Sequence, residues 1–172
     1  MRSILISFFV LQLACADKGN DSGSTLCPVT GEPSLTIGYG VGDQFTAYES
    51  GAEVGLESAP QGGWGVGVRA RTTGISSAAG DTPHASSAIL LNTYLGGEEA
   101  GSFLNETVEV YCQDDGTGLV WGVVVGFDPE IYDTNEDLLS LNGEEVELLV
   151  EATDSEGRVA TGTVDVIITV GR

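Results

Sequence analysis

The chain has 172 residues, of which 26 are acidic and 6 basic, giving a formal net charge of −20 alongside 41% hydrophobic residues and 25 glycines. So large a negative excess excludes ordinary nucleic-acid binding, which needs lysine and arginine to displace counterions, and argues against electrostatic docking on anionic lipid. The length suits one domain built around a single core.

The N-terminal segment reads as an export signal. Met1-Arg2 supplies one positive charge, Ile4 to Ala14 is almost purely apolar, and Cys15 follows. The run is too short for a permanent span of about 20 residues and has the length of a secretory h-region. Leu13-Ala14-Cys15 resembles the end of a bacterial lipobox, with Gln12 standing where Leu or Val is usual. That resemblance implies a signal peptide over residues 1–14 and Cys15 as a lipidated N-terminus. Ala14-Cys15-Ala16 also meets the small-x-small rule of ordinary signal peptidase, and a cut there would discard Cys15 and leave a secreted protein. Residues 15–26, including Asp17, Asn20, Asp21, Ser22 and Ser24, are small and polar, cannot pack a core, and read as a flexible tether. The folded domain is expected over 27–172.

Cys27 and Cys112 remain as an even pair once Cys15 is modified or lost. In an oxidising envelope the expectation is a disulfide between them, closing a loop for which chain entropy allows on the order of 4–5 kcal/mol as an upper figure. A metal site at Cys27 and Cys112 would have His84 as its one further candidate ligand, one short of a structural zinc set.

Beyond Cys27 the pattern is that of strands. Apolar runs occur at Leu35 to Tyr39, Ala88 to Leu95, Thr107 to Cys112 and Leu119 to Phe127. From Trp64 the chain alternates strictly, with Trp64, Val66, Val68 and Ala70 on one face and Gly65, Gly67, Arg69 and Arg71 on the other. The same period of two returns in Val146, Leu148, Val150, Ala152 and in Val164, Val166, Ile168, Val170. Leu119 to Val125 is nearly continuously apolar, as in a central strand buried on both faces, and the two tryptophans, Trp64 and Trp121, are expected as core fillers. About 7–9 strands punctuated by glycine turns predict an all-β, antiparallel sandwich.

Two further resemblances concern the fold and its setting. The segment from Leu141 through Asp154-Ser-Glu-Gly157 to Val166 resembles the closing hairpin of bacterial immunoglobulin-like domains, with Asp154 bonding its own backbone and Gly157 at positive φ. Ala59-Pro60-Gln61-Gly62-Gly63-Trp64 is similar to a segment of uncharacterised envelope lipoproteins of Gram-negative bacteria, in which the next residue is often His; here it is Gly65. The resemblance implies an envelope location and lends no residue a chemical role.

Catalysis finds little to stand on. His84 is the only histidine and lies in a turn-rich loop, and 26 acids supply too many chance pairs to nominate one. Asp133, Asn135 and Asp137 place three oxygen ligands at every second residue, the opening of a calcium loop, without the glycine that should follow. Calcium is therefore the one possible cofactor. The expected role is non-catalytic, binding or structural, at a bacterial cell envelope, with the membrane met through the lipid on Cys15 and a protein or glycan as ligand. The alternatives are an extracellular carbohydrate-active enzyme built on a sandwich and a calcium-dependent adhesin-like module. An adhesin or lectin needs an exposed aromatic patch, whereas a hydrolase needs a cleft with two carboxylates.

Overall fold

The computed structural model describes residues 29–59, 62–77 and 86–171, and these form an all-β sandwich of two sheets. In chain order the strands are β1 (Ser34–Tyr39), β2 (Thr46–Ala47), β3 (Ala52–Gly55), β4 (Glu57–Ser58), β5 (Trp64–Thr73), β6 (Ser86–Leu95), β7 (Glu98–Glu109), β8 (Tyr111–Cys112) and β9 (Gly118–Gly126). A short helix, α1 (Asn135–Ser140), precedes β10 (Glu145–Thr153) and β11 (Val159–Thr169). Seven strands have six or more residues and the other four have two to four. The first sheet runs β2-β1-β5-β9-β8, with β4 also paired to β5, and the second runs β3-β11-β10-β6-β7. Every pairing is antiparallel except β3 with β11, which is parallel.

The alternation in β10 decides which face is buried. Val146, Leu148, Val150 and Ala152 are fully buried, whereas Glu145 before them and Glu147 among them lie exposed. Val66, Val68 and Ala70 of β5, in the other sheet, belong to the same core, as do Val166 and Ile168 of the neighbouring β11. The aliphatic inner faces interdigitate with little polar content, which is where the favourable burial free energy of this fold resides. At one corner the Thr93 hydroxyl donates to the Gly126 carbonyl at 3.0 Å, joining β6 to β9 across the two sheets.

The apolar run Thr107 to Cys112 is not one strand. It leaves the second sheet as β7, passes the buried Val110, and enters the first sheet as β8. Such sheet switching makes a corner of the sandwich.

Two expectations about the tryptophans and β9 fail together. Trp64 and Trp121 are 37% and 42% exposed, and β9 is followed only by the two-residue β8, so it lies near the sheet edge with Trp121 and Gly122 open to solvent. The cause is a β-bulge. Val68 pairs with Val123 and Ala70 with Val120, so three steps on β9 answer two on β5. Gly122 absorbs the extra residue at φ 60, a conformation that favours glycine. The bulge changes which parity of β9 faces the core: Val120 and Val125 are buried and Trp121 is turned outward. Trp64, at the first position of β5, lies beyond the region that the opposite sheet covers well enough to bury it.

The closing hairpin forms as its sequence implied. Gly157 has φ 79, the Gly157 amide donates to the Asp154 carbonyl at 2.9 Å, and the Asp154 carboxylate accepts from the Glu156 and Arg158 amides at 2.9 and 3.0 Å.

Candidate functional site

Cys15, Cys27 and His84 lie outside the described residues, as do the proposed signal peptide and tether. Cys112 is half-buried on β8.

The calcium candidates fall around α1. Thr134 caps this helix, accepting from the Asp137 amide at 3.2 Å, and the Asp137 carboxylate in return accepts from the Thr134 amide at 3.2 Å and from its hydroxyl. This reciprocal capping box uses the Asp137 carboxylate to satisfy a helix end. Asn135 opens the first turn of the helix, while Asp133 precedes the cap. Among the described residues no group of three or more His, Cys, Asp or Glu side chains is arranged to hold a metal ion.

The outer face of the first sheet has a different character. Register puts Arg71, Leu119 and Tyr111 in one row, since Arg71 pairs with Leu119 and Leu119 with Tyr111. Trp121 follows on the same side, and its ring stacks on that of Tyr111 with centroids 4.4 Å apart and planes 14° from parallel. The Tyr111 hydroxyl donates to the Glu109 carboxylate, and this acceptor raises the phenol pKa above its ordinary value. Alongside, the Arg71 guanidinium lies 4.6 Å from the centre of the Phe45 ring, a cation–π contact, and 3.9 Å from Asp115. The Asp115 carboxyl is held below its usual range, chiefly by the Thr117 hydroxyl and amide, with burial opposing and Arg71 adding to the effect. Asp43, Arg71, Cys112, Gln113, Asp114 and Asp115 line a shallow polar depression there.

Towards the other edge of the same sheet, Arg69 donates from Nη1 to the carbonyls of Gly42 and Gln44, the second at 3.0 Å. Beside it lies a cleft of about 680 Å³, where the chain of β3 and β4 passes over β5 and β9. Tyr39 and Tyr48 stand on its wall with ring centroids 5.1 Å apart, and Glu53, Glu57 and Arg69 supply its charges. The Tyr48 hydroxyl donates to the Gly67 carbonyl at 3.2 Å. Its pKa is raised, first by burial and then by the negative charge of Glu57.

These two zones went unread in the sequence. Trp121 was assigned to the core, and Tyr39, Tyr48, Glu53 and Glu57 are unremarkable by spacing. The one available signal was Gly122 inside an otherwise apolar run, since an isolated glycine in a strand marks a bulge. No protein-family profile matches the chain, and no curated protein matches it in sequence.

Proposed function

We propose that this chain is an exported binding protein of the bacterial cell envelope, held on a membrane by a lipid on Cys15 and acting without catalysis through an immunoglobulin-like sandwich. The strand order favours that form of the fold. β1-β5-β9-β8 stands where such domains carry strands A-B-E-D, and β11-β10-β6-β7 stands where they carry G-F-C-C′. Cys27 and Cys112 form a disulfide in this reading, pinning the start of the domain beside the outward face of the first sheet.

The observation that carries the binding role is the stacked Tyr111–Trp121 pair on that face. Trp121 is 42% exposed because a bulge turns it out, and a large aromatic held away from an available core costs burial energy that ligand contact would recover. The test has two arms. A fatty-acid analogue should label the full chain, and Cys15→Ala should abolish labelling and release the protein from the membrane fraction. Envelope material retained by the full chain should be lost with Trp121→Ala. Labelling that survives Cys15→Ala removes the anchor, and retention that survives Trp121→Ala removes the aromatic face.

One observation favours a second reading, a carbohydrate-active enzyme. Glu53 and Glu57 line a single cleft, and glycoside hydrolysis needs two carboxylates. Release of reducing sugar by the full chain, lost in Glu57→Gln, would favour it over binding alone.

A further inference from the structure

We propose that the cleft over β5, distinct from the Tyr111–Trp121 face, is a saccharide subsite that holds a neutral pyranose unit by stacking and hydrogen bonding, which goes beyond the binding role above. The cleft volume of about 680 Å³ falls inside the range of roughly 300–1,000 Å³ typical of small-ligand sites. Its lining combines what a sugar ring requires. A pyranose has an apolar C–H face and an equatorial rim of hydroxyls that both donate and accept, so its site needs a flat aromatic surface beside acceptors and donors. Tyr39, 50% exposed, and Tyr48 supply the rings. Glu53 and Glu57 supply acceptors, and Arg69 supplies donors beyond the Nη1 already bonded to Gly42 and Gln44.

Glu57 is the most telling of these residues. Its carboxylate lies directly over Gly67, so closely that a side chain at Gly67 would collide with it, and it therefore rests on the cleft floor. No described residue donates a hydrogen bond to it, while Tyr48 senses its charge. An exposed carboxylate laid over Gly67, with no donor among the described residues and beside two aromatic rings, is placed to meet a hydroxyl. Elsewhere the lining is smooth, because Gly55 and Gly122 have no side chains and nothing lies over them to block a close approach.

Charge excludes the obvious competitors. An anionic ligand would meet two carboxylates on a chain of net charge −20. An ammonium or guanidinium ligand would gain from the carboxylates and rings but would share the cleft with the Arg69 guanidinium, which its two carbonyl bonds hold in place. A neutral polyhydroxylated ring meets neither objection.

The test is a calorimetric titration of the purified full chain with neutral tetrasaccharides, namely cellotetraose, maltotetraose and chitotetraose, with choline and arginine as cationic probes. One tetrasaccharide should bind. Tyr39→Ala and Glu57→Gln should each weaken it at least tenfold, Tyr39→Phe should retain it, and Leu139→Ala, a change at an exposed residue of α1, should leave it unaltered. Circular dichroism melts of each variant separate lost binding from lost fold. No binding across the panel, tighter binding of either cation, or sugar binding indifferent to Tyr39→Ala and Glu57→Gln would each overturn the subsite. Binding lost with Trp121→Ala but not with the cleft variants would overturn the subsite while leaving the binding role intact.

Discussion

The Asp154 carboxylate accepts a hydrogen bond from the Ser76 backbone amide at 2.9 Å, although 78 positions separate them in the chain. Arg158 completes the link, donating from Nε to Asp154 at 2.8 Å and from Nη2 to the Ser76 hydroxyl at 2.7 Å. The β10–β11 turn is thereby bolted to the segment that follows β5, which belongs to the opposite sheet. Burial pushes the Asp154 pKa up, but the amides of Ser76, Arg158 and Glu156 together with the Arg158 guanidinium outweigh it and hold the group at about 2.

A carboxyl with a lowered folded-state pKa contributes stability that is complete above its unfolded value and is lost as pH falls through the folded one. For Asp154 that window runs from the ordinary value of 3.8 down to about 2, and the shift is worth on the order of 2 kcal/mol. Asp154→Asn should lower stability at pH 7 by about 2–4 kcal/mol, because it removes the charge from a buried network. Urea unfolding at several pH values should then show a shallower loss of stability between pH 4 and pH 2 in the variant than in the parent. Equal slopes would show that Asp154 does not carry this term.

Gly122→Val should destabilise the domain by about 1–2 kcal/mol, since a β-branched residue at φ 60 is strained. Trp121→Ala should cost less than an equivalent core truncation because the ring is 42% exposed. Denaturant unfolding gives both values.

Thr134→Ala should cost about 1 kcal/mol through loss of the capping box. A calcium ion at Asp133, Asn135 and Asp137 would have to take the Asp137 carboxylate from this cap, so millimolar calcium should leave the melting temperature of the parent unchanged. A rise that chelator reverses would contradict this and restore the calcium reading.

Leu148→Ala should cost about 2–5 kcal/mol, as the side chain is fully buried between the sheets. The penalty should be measurable by thermal melting and should exceed that of Leu139→Ala, whose side chain is 57% exposed.

The proposed Cys27–Cys112 bridge predicts that Cys27→Ser lowers stability by about 2–4 kcal/mol and that thiol alkylation of the unreduced parent modifies neither residue. Alkylation of Cys112 without reductant would remove the bridge.

What was legible in the sequence followed from one-sided burial. β10 and β5 bury one face against the other sheet, so their apolar residues keep a period of two and both strands could be read directly. The first half of β7 escaped notice for the opposite reason. It is an edge strand beginning Glu98-Glu99, where charge guards an exposed backbone and no alternation is needed. α1 has six residues, too few to establish a helical period, although Thr134 and Asp137 carried the spacing of a capping box, and Asp137 was taken for a calcium ligand instead. In β9 a single inserted residue reversed the facing of everything before it, which a continuous apolar run conceals. The cleft was unreadable in principle, because Tyr39, Tyr48, Glu57 and Arg69 come together only after β1, β4 and β5 have paired.

The parallel pairing of β3 with β11 sets the order in which this protein becomes itself. Ala52 meets Val166 and Gly55 meets Thr169, and among the described residues β11 is the only sheet neighbour that β3 has. Hairpins such as β6–β7 and β10–β11 close over short loops and form early, but β3 must wait until more than a hundred intervening residues have found their places. The separation in sequence thus predicts that the second sheet is completed late. Until that pairing forms, the backbone edge of β11 that β3 covers lies open, and an unpaired edge is where misassembly between neighbouring chains would start.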